Sequence, residues 1–204
     1  MLTVKLALGF FAGCAFLLLS GQLKASGYAE VDKPAPLSPG SDHRQVEVVF
    51  WYGCRYCFSI EDDIRQMQSD LDGQADVSHL PAPLNKTWAN HARLYYMIES
   101  YGLPWSVHEK AYRKVIESDG KDLATKGQIV DFLIESGISR QSASELYRSD
   151  EIIDSVRNAY LKLKAYGVSV TPTIVIDGRW LVDGYTASGV KNILPITEEI
   201  LDRK

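Results

Sequence analysis

A run of β-branched and aromatic residues that stops on a glycine and passes directly into a helical period, with a cysteine at the junction, leaves few folds open. Gln45-Val-Glu-Val-Val-Phe-Trp-Tyr52 is almost continuously apolar toward its end, the pattern of a central strand covered on both faces. Gly53 closes it. From Cys54 onward Ile60, Ile64, Met67 and Leu71 recur at helical spacing until Gly73, which predicts one helix over that stretch. Cys54 and Cys57 therefore sit where a buried strand becomes a helix, the end of an open α/β sheet at which ligands bind.

The rest of the chain fits around this junction. A second strand is expected from Ala75 to Leu80, followed by Pro81 and Pro83. Helices are then expected over Trp88–Ser100, Pro104–Glu117, Lys126–Ser136, Gln141–Arg148 and Asp150–Tyr166, with Thr125 and Ser139 as N-caps and Pro104 in a first turn. Thr173–Ile176 and Trp180–Val182 read as strands joined by Asp177-Gly178, a dipeptide that favours a tight hairpin. A last helix follows Thr186 and is expected to bend or split at Pro195. The order predicts an α/β protein, a thioredoxin fold with an inserted α-helical domain. Residues 45–83 and 150–204 would form the thioredoxin-like part and 84–149 the helical insertion.

Ahead of this lies Lys5, an apolar run from Leu6 to Leu19 and a mixed stretch with small residues, the order of a secretory signal peptide over residues 1–26. The run is shorter than the roughly 20 apolar residues that span a bilayer, which argues against an uncleaved anchor. Phe11-Ala-Gly-Cys14 has the look of a lipoprotein cleavage box, but the residues after it stay apolar. Residues 27–44, rich in proline, are expected to be an extended lead-in. The 22 basic residues less Lys5 and Lys24 leave 20 against 26 acidic ones, which makes nucleic acid a poor partner. Of three cysteines in the chain, only Cys54 and Cys57 would remain after export, into a compartment that permits disulfides.

The pair has a physical logic. A thiolate is the species that exchanges disulfides, and the unpaired N–H groups and dipole of a helix start favour it at Cys54. Arg55 adds a positive charge beside it. Cys57, one turn further in, is close enough to bond and is expected to be the shielded partner. A zinc half-site or an inert structural disulfide remain open from the residues alone; the first lacks a second ligand pair and the second closes too small a loop to restrain much chain. Val170-Thr-Pro-Thr173 before the hairpin is the second element. A cis peptide at Pro172 would leave the preceding backbone free to pair with an extended substrate. Trp51, Trp88, Trp105 and Trp180 read as core or groove lining, and His79, His91 and His108 show no ligand spacing.

Phe50-Trp-Tyr-Gly-Cys-Arg-Tyr-Cys57 with Glu61, Leu80-Pro-Ala82 with Trp88, His91 and Glu99-Ser100, Leu123-Ala-Thr125 with Asp131-Phe-Leu133, and Ala165-Tyr166 through Asp177-Gly178 resemble the periplasmic disulfide oxidase family, DsbA, in matching order over residues 45–202. The resemblance implies a periplasmic oxidoreductase reoxidised by a quinone-linked membrane protein of the DsbB type; its expected substrates are reduced exported proteins, and it is expected to act as a monomer without a cofactor. It implies that Cys54 is the surface nucleophile, Cys57 its buried partner, Pro172 the cis-proline and Glu61 a buried acid assisting proton transfer near Cys57. From the residues alone, Glu61 equally reads as a solvated acid beside Asp62 and Asp63.

Three departures from the family pattern fall on the substrate-facing positions Arg55, Tyr56 and Thr171. Arg55-Tyr56 replaces the usual proline-histidine, and Thr171 replaces valine; Tyr56 and Thr171 together are more similar to periplasmic disulfide isomerases. The family's acid six places before the first cysteine is absent, since Val48 stands there and Glu47 points to the opposite face of a regular strand. The expected activity is thiol-disulfide exchange that introduces disulfides into exported proteins. Two alternatives stand beside it: a reductase or isomerase using the same site, and a non-catalytic chaperone or metal-handling module.

Overall fold

A computed structural model describes residues 27–32, 34 and 43–203. The signal-peptide reading, Cys14 and most of the proline-rich lead-in lie outside the described residues. Five strands form one mixed sheet in the order β1-β5-β4-β2-β3. They are β1 (Ala29–Glu30), β2 (Arg44–Phe50), β3 (Ala75–Pro81), β4 (Thr173–Ile176) and β5 (Trp180–Asp183). Central β2 runs parallel to β3 and antiparallel to β4, while β5 pairs antiparallel with both β4 and β1. Sequence reading had no strand at Ala29–Glu30, because two residues carry no period of their own.

Alternation along β2 assigns its faces. Val46 and Val48 enter a core with Ile64, Met67, Ile174, Ile176 and Ile193, while Val49 turns the other way to Val175, Leu163 and Tyr166. Glu47 shares that second face, where Lys162 and the Tyr166 hydroxyl bond its carboxylate. The acid-for-Val48 departure is thus accompanied by an acid facing away from the cysteines.

Eight α-helices occur among the described residues: α1 (Arg55–Ser59), α2 (Glu61–Asp70), α3 (Lys86–Ser100), α4 (Trp105–Glu117), α5 (Lys126–Glu135), α6 (Arg140–Leu146), α7 (Asp150–Tyr166) and α8 (Ile193–Leu201). Three expectations need correction. The single helix after Cys54 is two, broken at Ile60, whose φ of −107° and ψ of 2° leave the helical region; just before it the Ser59 hydroxyl bonds the Tyr56 carbonyl, a local competitor to the helix ladder. Pro104 is the N-cap of α4 rather than its first residue. Pro195 lies in the first turn of an unbroken α8, where its missing N–H has no helical acceptor to lose. The break falls earlier, after a single 3-10 turn at Val190–Asn192.

Caps fix the remaining ends. Thr125 and Gln128 form a capping box on α5, Ser139 and Ser149 cap α6 and α7, and Gly167, with φ 73°, takes the left-handed position that ends α7. Asp177 and Gly178, both with positive φ, make the hairpin turn between β4 and β5. Helices α3, α4 and α5 bury Leu94, Met97, Val115, Ile129 and Leu133 against Phe50, Tyr52, Cys54 and Cys57. The helical core therefore ends at the cysteines.

Candidate active site

Beyond Phe50 the chain leaves the strand in a turn closed by the Cys54 N–H on the Trp51 carbonyl at 2.9 Å. Gly53 has to occupy this turn: a Cβ there would lie 2.3 Å from the Trp51 ring. The turn delivers Cys54 to the N-cap of α1 in extended conformation, with its Sγ accepting the Cys57 N–H at 3.0 Å. A sulfur at that position meets the unpaired donors of the first turn, the arrangement that favours a thiolate. Cys54 and Cys57 are joined in a disulfide, Cα to Cα 5.2 Å.

The two sulfurs are not equivalent. Cys54 retains 9% of its surface and lines an open groove of about 960 Å³, whereas Cys57 retains 1% and faces the helical core. Cys54 is thus a groove-floor residue, reached through the groove, rather than one standing on the outer surface. The Thr171-Pro172 peptide is cis, and Thr171 and Pro172 line the groove with Arg55 and Tyr56. The Thr173 hydroxyl donates to the Val170 carbonyl at 2.8 Å and spans this loop.

A wall of the groove is aromatic. Trp51 and Trp88 stack with centroids 4.1 Å apart at 12°. The Trp51 indole N–H donates to Nδ1 of buried His91 at 2.8 Å, and Nε2 of that ring lies 3.0 Å from the Asp122 carbonyl. An indole can only donate and a carbonyl only accept, so the ring is the Nε2–H tautomer, and burial lowers the His91 pKa in agreement. Tyr185 and Lys191, from the segment after β5, also line the groove.

Behind the cysteines lies a buried polar cluster. Glu61, 2% exposed, accepts the Tyr112 hydroxyl at 2.7 Å on Oε1, and its Oε2 lies 2.9 Å from His79 Nε2. It is not one of the solvated acids of its helix start, as Asp62 and Asp63 are. Burial first, and then Glu61, raise the Tyr112 pKa well above its usual value, so its proton stays available as a donor. A parallel chain runs from the Tyr52 hydroxyl to His108 Nδ1 at 2.6 Å and from His108 Nε2 to Glu99 at 2.8 Å. Burial lowers the His108 pKa and raises that of Tyr52, which fits Tyr52 donating to a neutral ring. Sequence reasoning missed these partnerships and missed Tyr185 and Lys191 in the groove. No spacing links Glu61, His79 and Tyr112, which come from three elements. Tyr185 did carry a signal, as a large aromatic in the polar run Asp183-Gly-Tyr-Thr186. No group of three His, Cys, Asp or Glu side chains suited to a metal occurs among the described residues.

A thioredoxin-type sheet carrying a Cys-x-x-Cys disulfide at a strand-to-helix junction, with a cis-proline in the same groove, defines a thiol-disulfide oxidoreductase. The family model described as the DSBA-like thioredoxin domain matches residues 88–194, more than half of the chain. This chain belongs to that family. It is 29% identical over 180 residues to the thiol:disulfide interchange protein DsbA of Pseudomonas aeruginosa, covering 87% of this chain and 83% of that one. To the protein of the same name from Azotobacter vinelandii it is 28% identical, covering 87% and 82%. The crystal structure of Pseudomonas aeruginosa DsbA superposes with a TM-score of 0.78 at 28% identity, covering 87% of this chain and 91% of that one. The structure of the oxidoreductase DsbA from Xylella fastidiosa, 20% identical, shares the fold with a TM-score of 0.76, covering 86% and 94%.

Proposed function

We propose that this oxidoreductase works as a dithiol oxidase for exported proteins, in the periplasm, as a single chain. A substrate thiolate attacks the Cys54 sulfur, the Cys54–Cys57 bond breaks, and Cys57 leaves with the electron pair and takes a proton. The substrate's second thiolate then attacks its own sulfur in the mixed disulfide, releasing a substrate disulfide and the Cys54 thiolate. Two substrate thiols are oxidised and one protein disulfide is reduced, with no cofactor. A membrane oxidase of the quinone-linked kind would restore the Cys54–Cys57 bond.

The observation that carries this reading is the inequality of the two sulfurs: one on the floor of an open groove at a helix N-cap, the other sealed in the core. Direction follows from stabilising the reduced form. The Cys57 N–H and the Arg55 charge both favour a Cys54 thiolate over the disulfide, which makes the couple oxidising. Thr171 and Pro172 offer backbone to an extended substrate, Tyr56 supplies apolar contact at the rim, and Glu61 serves the proton that Cys57 needs. In this reading residues 45–83 and 150–204 form the redox unit and 84–149 the helical cover. Disulfide formation in a reduced test protein measures the activity; equal rates for the natural protein and Cys54→Ser would end the proposal.

Exposed Tyr56 beside Thr171 in the groove favours, as second reading, a reductase or isomerase. Equilibrium of the couple with glutathione separates the two, because only a strongly oxidising couple suits net disulfide formation.

A further inference from the structure

The groove's charge extends beyond what the exchange chemistry uses. Arg55, at the start of α1, and Lys191, in the 3-10 turn before α8, are far apart in sequence and line the same groove as Cys54 and Pro172. No acidic side chain among the described residues lines it. Both cations are exposed, and neither has an acid within ion-pair distance among the described residues. Among the described residues the Arg55 side chain bonds only the Ile116 carbonyl, at 3.4 Å. Asp183, next to the rim, is committed elsewhere, its Oδ1 accepting the N–H groups of Tyr185 and Thr186 at 2.8 Å each. Glu117 lies in the adjoining recess, shared with Arg55 and Arg113.

The chain as a whole carries a formal charge of −4. The groove is thus a cationic spot on an acidic molecule, a pattern that draws anionic groups to one place and repels them from the rest. Tyr56 and Tyr185, 64% and 82% exposed, supply apolar contact beside the charges.

We propose that the groove selects cysteine-bearing segments whose neighbouring residues are acidic, their carboxylates meeting Arg55 on one side of the reacting sulfur and Lys191 on the other. This rests on the exchange reading above. Each solvent-exposed pair contributes about a two- to fivefold preference, screened as salt shortens the range of the field.

The test uses the oxidised full chain and two dithiol peptides that differ only in having Glu or Lys beside their cysteines. Each peptide's rate is divided by its own rate with a small-molecule disulfide, which removes differences in thiol acidity. The expected outcome is a roughly four- to twenty-fivefold preference for the acidic peptide at low salt, falling toward one at about 0.5 M salt. Lys191→Glu and Arg55→Gln should each shrink it. A ratio near one at low salt, or one that both substitutions leave unchanged, overturns the acidic preference while leaving exchange intact. Absence of exchange with either peptide overturns the exchange reading, and this one with it.

Discussion

The indole N–H of Trp51 donates to Nδ1 of His91 at 2.8 Å, so a wall of the redox groove is held by a ring that has to stay neutral. Burial lowers the His91 pKa, and that of His108 as well. Each ring therefore binds its proton more readily in the unfolded chain, near the ordinary pKa of about 6.5. Their contribution to stability is complete above that value and declines as pH falls through it toward the lower folded value, by at most about 1.4 kcal/mol per pH unit per ring. Denaturant titrations of the oxidised protein at pH 7.5 and 5.5 or so should show the loss. His91→Gln, which cannot protonate, should flatten the slope; an unchanged slope in that variant and in His108→Gln would sink the assignment.

Gly53 to Ala tests the turn that carries Cys54. The added methyl meets the Trp51 ring at 2.3 Å, so either the ring leaves Trp88 or the turn opens. Overpacking of this kind costs about 1–3 kcal/mol. The expected result is that loss together with altered tryptophan fluorescence; full stability with an unchanged spectrum contradicts the geometry.

Cys57→Ser should trap the mixed disulfide, because the serine left behind cannot displace the substrate from Cys54. Mass spectrometry of this variant after mixing with an oxidised peptide partner should find the adduct on Cys54 alone. An adduct at no site means that Cys54 is not the exchanging sulfur.

Arg55→Gln removes the charge beside the nucleophile. Because the guanidinium is exposed and its field is screened, the pH midpoint of Cys54 alkylation in the reduced protein should rise by less than about one unit. A downward shift would rule out stabilisation of the thiolate by Arg55.

Tyr112→Phe leaves Oε1 of buried Glu61 without its donor, and an unsatisfied buried group costs about 1–3 kcal/mol. Thermal or urea unfolding of the oxidised protein measures it. Glu61→Gln keeps the shape but changes the proton chemistry, so if Glu61 serves Cys57 it should slow the exchange more than it destabilises the fold. The reverse pattern makes the cluster purely structural.

Much of this molecule can be read from its residues. The continuous apolar strand into Gly53, the caps at Thr125 and Ser139, and Asp177-Gly178 all act locally, and each of these features stands within a few residues of where its local chemistry puts it. The Cys54–Cys57 pair was equally legible, since its spacing and its place at a period change are sequence properties. Tyr185 and Lys191 were not, because only the return of the chain after β5 brings them to the groove. Glu61 shows the same limit from the other side. Beside Asp62 and Asp63 it reads as solvated, and only His79 from β3 and Tyr112 from α4 make its burial affordable.

Finally, the two residues of β1 lie along the margin of β5, where Ala29 faces Leu181 and Glu30 faces Trp180, with Val31 N–H on the Arg179 carbonyl beyond them. Without this short ribbon the outer amides of β5 would be open to pairing with a second chain. Deleting Tyr28 to Val31, which do not line the redox groove, would uncover that margin, so the guard of the sheet edge rests on a segment separate from the chemistry.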